Sequence, residues 1–126
     1  MKSFAAAAAL ALAVFAGMPA PVQAADAAAG ETAFRRLCAA CHIVTAEGRR
    51  GVGPTVFGVV GRKAGSVEGF RYSAAKRDAT LVWTPEQLDK YLTNPREFMP
   101  GTTMAFAGIR SAEERANVIA YLQTLK

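Results

Sequence analysis

Three side chains that could bind a metal or react as nucleophiles stand close together in the chain: Cys38, Cys41 and His42. The pattern Cys-x-x-Cys-His is the attachment site of a c-type haem. Two residues between the cysteines allow one helical turn to present both thiols to one edge of the porphyrin, where they add to vinyl groups and form thioethers. The imidazole that follows then lies under the iron. The motif therefore predicts a covalently bound haem with His42 as an axial ligand.

Two other chemistries use the same residue types. A Cys-x-x-Cys pair can serve a thiol–disulfide oxidoreductase, although that use is typical of a βαβ context and this chain has no strand pattern. A structural zinc site needs four ligands, and the chain has no further cysteine or histidine. The oxidoreductase remains the alternative in the enzyme class, and free thiols without a haem spectrum would indicate it.

A six-coordinate iron needs a second axial ligand, and His42 is the only histidine. The methionines beyond the N-terminal region are Met99 and Met104. Met104 follows the sequence Pro100-Gly101-Thr102-Thr103, a turn rigid enough to aim one side chain, whereas Met99 is expected to pack in the core. A thioether ligand favours ferrous iron and raises the reduction potential. If Met104 does not ligate, the iron would keep an open site, as in a gas-binding or sensory haem protein.

The N-terminal region has the pattern of a secretory signal peptide. Lys2 supplies a positive charge, residues 4–17 form an uncharged Ala-rich run, and Val22-Gln23-Ala24 fits a cleavage site. The apolar run is shorter than the roughly 20 residues that a membrane span needs. An uncleaved anchor is the alternative. We expect residues 1–24 to be removed and residues 25–126 to form one domain in the periplasm.

The remaining domain is small and moderately basic. The formal net charge of +5 falls to +4 when Lys2 is removed. Beyond Arg49-Arg50 and Arg62-Lys63 there is no dense basic run, which argues against a nucleic-acid partner and favours acidic protein partners. A domain of about a hundred residues gains only marginal stability from its own apolar core, so a large buried cofactor would complete the interior.

Helical patterns account for most of the domain outside a glycine-rich segment, residues 48–69. Residues 27–38 place Gly30 and Phe34 on one side of a helix. A second helix starts at Thr84-Pro85-Glu86-Gln87 and ends before Asn94-Pro95, and a third starts at Ser111 and runs to about Leu125. A short helical turn is expected at residues 95–98. The pattern predicts an all-α domain with long connections that follow the edge of a ligand.

From Gly30 to the C-terminus, the chain resembles the class I c-type cytochromes, in particular the soluble bacterial type that is similar to the mitochondrial proteins. Gly30 and Phe34 match the family's N-terminal helix, and Tyr121 matches the aromatic residue of the C-terminal helix that crosses it. The resemblance implies a small monohaem fold of three main helices, short helical turns and long loops wrapped around haem c. It implies a one-electron carrier rather than an enzyme.

The resemblance also assigns residues to the surroundings of the haem. The Pro54 carbonyl would accept the ring N–H of His42, and Tyr91 would lie on the Met104 side, able to donate toward the sulfur. The residues that match contacts of the haem propionates are Arg62, Tyr72, Trp83 and Thr102. Together with Cys38, Cys41, His42 and Met104, these residues form the expected haem site.

The chain departs from the family pattern in the pocket and at the surface. Lys76 stands where the mitochondrial proteins usually carry a haem-pocket asparagine. Several lysines of the front face are replaced, by Leu37, Thr103 and Glu97, while Arg96 remains. Charge steering should therefore be weaker, and the partners are expected to be redox proteins that dock briefly at the exposed haem edge. We expect a monomer without stable membrane association.

Overall fold

The computed structural model describes Gly17, residues 24–47 and residues 51–126. The expected signal peptide, residues 1–24, lies outside the described residues except for Gly17 and Ala24. In the described part the chain forms five helices: α1 (Ala27–Leu37), α2 (Ala74–Arg77), α3 (Pro85–Thr93), α4 (Pro95–Phe98) and α5 (Ala112–Thr124). The only strand-like pairing in these ranges is an isolated bridge between Lys63 and Val82. The predicted all-α class is confirmed.

The three main helices begin at the residues that the sequence predicts. Thr84 Oγ1 accepts a hydrogen bond from the backbone N–H of Gln87 at 3.2 Å, and Ser111 Oγ accepts one from Glu114 at 3.1 Å. Asp26 caps α1 by accepting from two backbone N–H groups of the first turn. Each cap satisfies donors that the first turn of a helix leaves without an intrahelical partner. α1 ends at Leu37, so Cys38 is its C-cap residue rather than its last helical residue.

The first and last helices cross at a point where their backbones come into close contact. A Cβ added to the buried Gly30 would overlap the backbone carbonyl oxygen of Asn117 on α5. Beside this contact, the rings of Phe34 and Tyr121 pack with their centroids 5.4 Å apart. The backbone N–H of Asp26 also donates to the Asn117 side chain at 2.8 Å. This crossing fixes the start of the turn that carries the Cys-x-x-Cys-His motif.

A buried arginine connects α5 to α3. Arg115 is only 9% exposed, and its Nε donates to Asp89 Oδ1 at 2.8 Å. Its Nη1 donates to the carbonyl oxygens of Ile109 and Arg110 at 2.8 and 3.0 Å. These bonds compensate the cost of burying a charge. They also tie the segment that follows Met104 to both helices.

The connection from residue 51 to residue 73 contains no helix, as its glycine content predicts, and it is followed by α2. Ser73 caps this helix through its side-chain oxygen. Gly65 adopts a φ of +70°, and a Cβ there would lie 2.5 Å from the carbonyl oxygen of Lys76. The loop therefore packs directly against α2. No helix in the described ranges is long and apolar enough to cross a membrane.

Candidate haem site

Residues 38–42 form a tight turn directly after α1. The backbone N–H groups of Cys41 and His42 both donate to the carbonyl oxygen of Cys38, at 3.0 and 2.9 Å. Because one turn of backbone carries all three side chains, their relative positions are set locally. This is the arrangement that attachment of both thiols to one porphyrin edge requires.

The ring of His42 has a defined orientation. Nδ1 lies 2.8 Å from the carbonyl oxygen of Pro54. A carbonyl oxygen can only accept, so Nδ1 carries the hydrogen and Nε2 keeps its lone pair for a metal. Burial lowers the pKa of His42; the bond to Pro54 opposes this effect, and the charges of Lys76 and Arg62 add to it. The neutral imidazole, which is the ligating form, is therefore favoured.

Gly53 leaves just enough space for this ring. A Cβ at Gly53 would lie 2.7 Å from Nδ1 of His42 and would also overlap the neighbouring ring carbon. The backbone N–H of Gly53 donates to the carbonyl oxygen of Cys41 at 2.8 Å, which ties the glycine to the turn. The backbone thus forms a cradle for the imidazole that any larger residue would fill.

The sulfur of Met104 is oriented by a tyrosine on α3. Tyr91 Oη donates to Met104 Sδ at 3.2 Å. The backbone N–H of Met104 donates to Thr102 Oγ1 at 3.3 Å, and that oxygen lies 3.3 Å from Tyr91 Oη. Met99, the other candidate, is 6% exposed and belongs to the hydrophobic core. Met104 is therefore the methionine whose sulfur is held by polar contacts.

Among the residues expected near the propionates, Arg62 and Tyr72 lie on the loop, and Trp83 lies on the segment before α3. Arg62 donates to the carbonyl oxygens of Phe57 and Thr55 at 2.8 and 2.9 Å. Burial lowers the pKa of Arg62, and the nearby Tyr72 raises it. Tyr72 Oη accepts from the backbone N–H of Val67 at 3.0 Å. Arg62 and Tyr72 thus lie near each other and are held by the loop itself.

Trp83 connects this loop to the methionine side. Its backbone N–H donates to the carbonyl oxygen of Arg62 at 2.9 Å, and its carbonyl accepts from Gly61 at 2.8 Å. Its ring is 5% exposed and packs against the ring of Tyr91, with centroids 4.8 Å apart. The propionate-side residues and the Met104 side are therefore parts of one packed unit.

The side chain of Lys76 makes a contact that the sequence did not predict. Its Nζ lies 2.6 Å from Tyr91 Oη. It also lies 4.3 Å from the centre of the Tyr91 ring and 5.3 Å from that of Trp83. The departure from asparagine was the one signal in the sequence that pointed to this position. The contact with Tyr91 depends on the fold and could not be read from spacing.

The environment of Cys38 is unsuited to thiol–disulfide catalysis. Burial, together with the neighbouring Cys41, raises the pKa of Cys38 to about 11. Catalytic cysteines have a lowered pKa, because the thiolate is the nucleophile. Thioether formation with a porphyrin remains the chemistry that the motif supports.

The donor set fits a haem c. One turn presents two thiols. The His42 imidazole is fixed through Nδ1 by the Pro54 carbonyl and keeps Nε2 free, and Tyr91 orients a thioether. His and Met are the axial ligands typical of electron-transfer cytochromes c, and the hydrogen bond from His42 to Pro54 is the kind of outer contact that orients such a ligand.

Comparisons with known proteins agree with this fit. The family model described as Cytochrome c matches residues 27–126. Cytochrome c of Trypanosoma brucei brucei is 60% identical over 79 residues, which cover 63% of this chain and 85% of that protein. Cytochrome c-type cyt cy of Rhodobacter capsulatus is 51% identical over 100 residues, 79% of this chain and 49% of that protein.

A solved structure gives the same result. Cytochrome cH from Methylobacterium extorquens aligns with a TM-score of 0.73 and 44% identity, covering 79% of this chain and 98% of that one. The helices and loops described above therefore have the cytochrome c fold. The chain belongs to the cytochrome c family as a class I c-type cytochrome, a haem c electron-transfer protein rather than an enzyme.

Proposed function

We propose that the protein is a periplasmic electron carrier in which Cys38 and Cys41 hold one haem c covalently and His42 and Met104 ligate its iron. The observation that carries this proposal is the pair of oriented donors, the imidazole fixed by Pro54 and the thioether fixed by Tyr91. When bound, the haem supplies one-electron exchange between Fe(II) and Fe(III).

The protein's part is to keep both ligands in place in either oxidation state. The bond from His42 Nδ1 to the Pro54 carbonyl keeps the ring from rotating, and it makes the ligating nitrogen more basic. The bond from Tyr91 to Met104 Sδ holds the thioether in one orientation. Because neither ligand has to move, little reorganisation accompanies electron transfer.

Polar residues around the site offset the energetic cost of burying the haem propionates. A buried carboxylate is costly unless donors and a cation meet it. Arg62, already held by the carbonyls of Thr55 and Phe57, supplies the cation. We assign the hydrogen-bond donors to Tyr72, Trp83 and Thr102.

The sequence supports the proposed cellular place. The N-terminal pattern of a signal peptide supports export to the periplasm, where c-type haem proteins of bacteria can meet membrane redox complexes. The partners are a reductase and an oxidase that dock at the exposed haem edge. Redox encounters of this kind bury little area, often below about 1,200 Å².

The alternatives each conflict with one observation. The raised pKa of Cys38 opposes thiol–disulfide catalysis. An open, gas-binding iron site is opposed by the hydrogen bonds that orient Met104 through Tyr91 and Thr102. Carbon monoxide binding to the reduced wild-type protein at neutral pH would favour the open site instead.

The decisive test compares the two methionines. Met104→Ala should abolish the weak far-red charge-transfer band of a Met–Fe(III) bond, lower the reduction potential and allow carbon monoxide to bind the reduced protein. The potential falls because the thioether stabilises ferrous iron. Optical spectra and a spectroelectrochemical titration measure these changes.

Met99→Leu is the matched control, because it removes a thioether from the core at nearly constant volume. It should keep the band and the potential. Loss of the band in Met99→Leu, or its survival in Met104→Ala, would contradict the assignment of Met104 as the ligand.

A further inference from the structure

The ammonium group of Lys76 is directed at aromatic side chains rather than at a carboxylate. Lys76 is half-buried, and its Nζ lies 2.6 Å from Tyr91 Oη and over the rings of Tyr91 and Trp83. The ion pairs found among the described residues join other side chains. Within that part of the chain, the main polar contact of this charge is therefore the Tyr91 hydroxyl.

The fold itself fixes the position of Lys76. Its backbone N–H donates to Ser73 Oγ at 3.3 Å, the cap of α2. Its carbonyl oxygen faces Gly65, where a Cβ would lie 2.5 Å away. The backbone of Lys76 is therefore held from two sides. Its side chain starts from a fixed point beside Tyr91 and does not extend freely from the surface.

Donor counting gives this hydrogen-bond network a direction. An ammonium group has three donors and no acceptor, so Tyr91 Oη must accept from Lys76. The Tyr91 hydrogen is then left to donate elsewhere, and Met104 Sδ at 3.2 Å is the nearest partner that can only accept. Thr102 Oγ1, at 3.3 Å, can donate its own hydrogen to Tyr91. The consistent order runs from Lys76 to Tyr91 to Met104.

We propose that Lys76 is a positioning residue that fixes the Tyr91 hydroxyl as a donor to Met104 Sδ and thereby favours the reduced iron. This inference rests on the proposed ligation by Met104. A hydrogen bond to the thioether withdraws electron density from the sulfur, which disfavours Fe(III) more than Fe(II). Outer hydrogen bonds of this kind are among the means by which proteins set haem potentials.

The test measures the reduction potential and the far-red band of purified holoprotein for Lys76→Met, with Lys90→Met as the control. Lys90 is exposed on α3 beside Tyr91, so its replacement removes the same unit charge without touching the hydroxyl. We expect Lys76→Met to lower the equilibrium constant for reduction about tenfold relative to Lys90→Met, or 59 mV for one electron. The band should also shift. Lys76→Gln, neutral and of similar reach, should act in the same direction and serves if Lys76→Met does not fold.

A double-mutant cycle separates action through Tyr91 from a direct effect of charge on the iron. In the Tyr91→Phe background, replacement of Lys76 should change the potential by less than half as much as in the wild type. An undiminished change in that background would overturn the proposal, as would neutral Lys76 variants with the potential of Lys90→Met. A wild-type protein without the far-red band would instead contradict the ligation by Met104, so the two failures are distinguishable.

Discussion

At the scale of single residues, the site depends on backbone groups as much as on ligands. His42 is oriented by a carbonyl oxygen that a proline supplies, and it fits because its neighbour is glycine. Pro54 has no N–H of its own, but its carbonyl is free to accept. Replacing Gly53 therefore perturbs the imidazole without changing any ligand.

Gly53→Ala should lower the yield of holoprotein and destabilise what is made by about 1–3 kcal/mol, the usual range for overpacking. The added Cβ would lie 2.7 Å from Nδ1 of His42, so the ring must shift and its bond to Pro54 must weaken. The measurements are haem content per polypeptide and thermal unfolding. Val52→Ala, at a neighbouring residue that is 80% exposed, is the control. Equal behaviour of the two variants would argue against the cradle.

At the scale of elements, the crossing of α1 and α5 holds the motif in place. The turn of residues 38–42 continues directly from α1, so its position depends on how closely that helix approaches α5. Gly30 permits the approach because it has no Cβ, although glycine is unfavourable inside a helix. The glycine is therefore explained by packing rather than by backbone conformation.

Gly30→Ala should destabilise the folded holoprotein although it raises helix propensity by about 1 kcal/mol. The new Cβ would overlap the carbonyl oxygen of Asn117, and the helices would have to separate. We expect a net loss of about 1–3 kcal/mol in the free energy of unfolding, measured with denaturant. Ala29→Gly, on the exposed side of α1, should cost only the propensity difference, about 1 kcal/mol. A Gly30→Ala variant that is more stable than the wild type would refute the close crossing.

The elements that could be predicted from the sequence are those with local signals. The side-chain oxygens of Thr84 and Ser111 each accept from the backbone N–H three positions later. The starts of α3 and α5 can therefore be predicted from the adjacent sequence. α2 has only four residues and depends on contact with Gly65, which no local pattern reveals. No local pattern marks Arg115 as buried, because the partners that its side chain binds lie outside α5.

The haem site likewise contains residues with a local sequence signal and residues whose contacts depend on the fold. The spacing of Cys38, Cys41 and His42 sufficed to predict the haem, because one backbone turn carries all three. The absence of a second histidine and the turn before Met104 pointed to that methionine. Resemblance to the family supplied the residues around the ligands. The contact of Lys76 with Tyr91 joins α2 to α3 across fifteen positions, and it emerged only from the packed structure.

At the scale of the whole molecule, surface charge determines how the carrier meets its partners. The net charge is modest, and Glu97 on α4 stands where the proteins that the chain resembles carry a front-face lysine. Charges at the docking face raise association rates with oppositely charged partners, and salt screens this effect over about 10 Å at 0.1 M. We therefore expect weak steering in this protein.

Glu97→Lys should raise the bimolecular rate constant for oxidation by an anionic inorganic complex severalfold at low ionic strength, because it places a cation near the proposed docking face. The gain should disappear at high salt. Stopped-flow rates as a function of ionic strength provide the measurement. Glu113→Lys, on α5, makes the same change in net charge and should give a smaller gain. Equal gains in both variants would mean that net charge alone, and not the α4 surface, sets the rate.

We propose that one haem is bonded covalently to the polypeptide after its export. The most direct measurement is the intact mass of the mature protein, purified after expression in a bacterium able to mature c-type cytochromes. We expect the mass of residues 25–126 plus one haem, and we expect the haem to stay bound under denaturing conditions. The mass of the bare polypeptide, from a colourless protein, would contradict it.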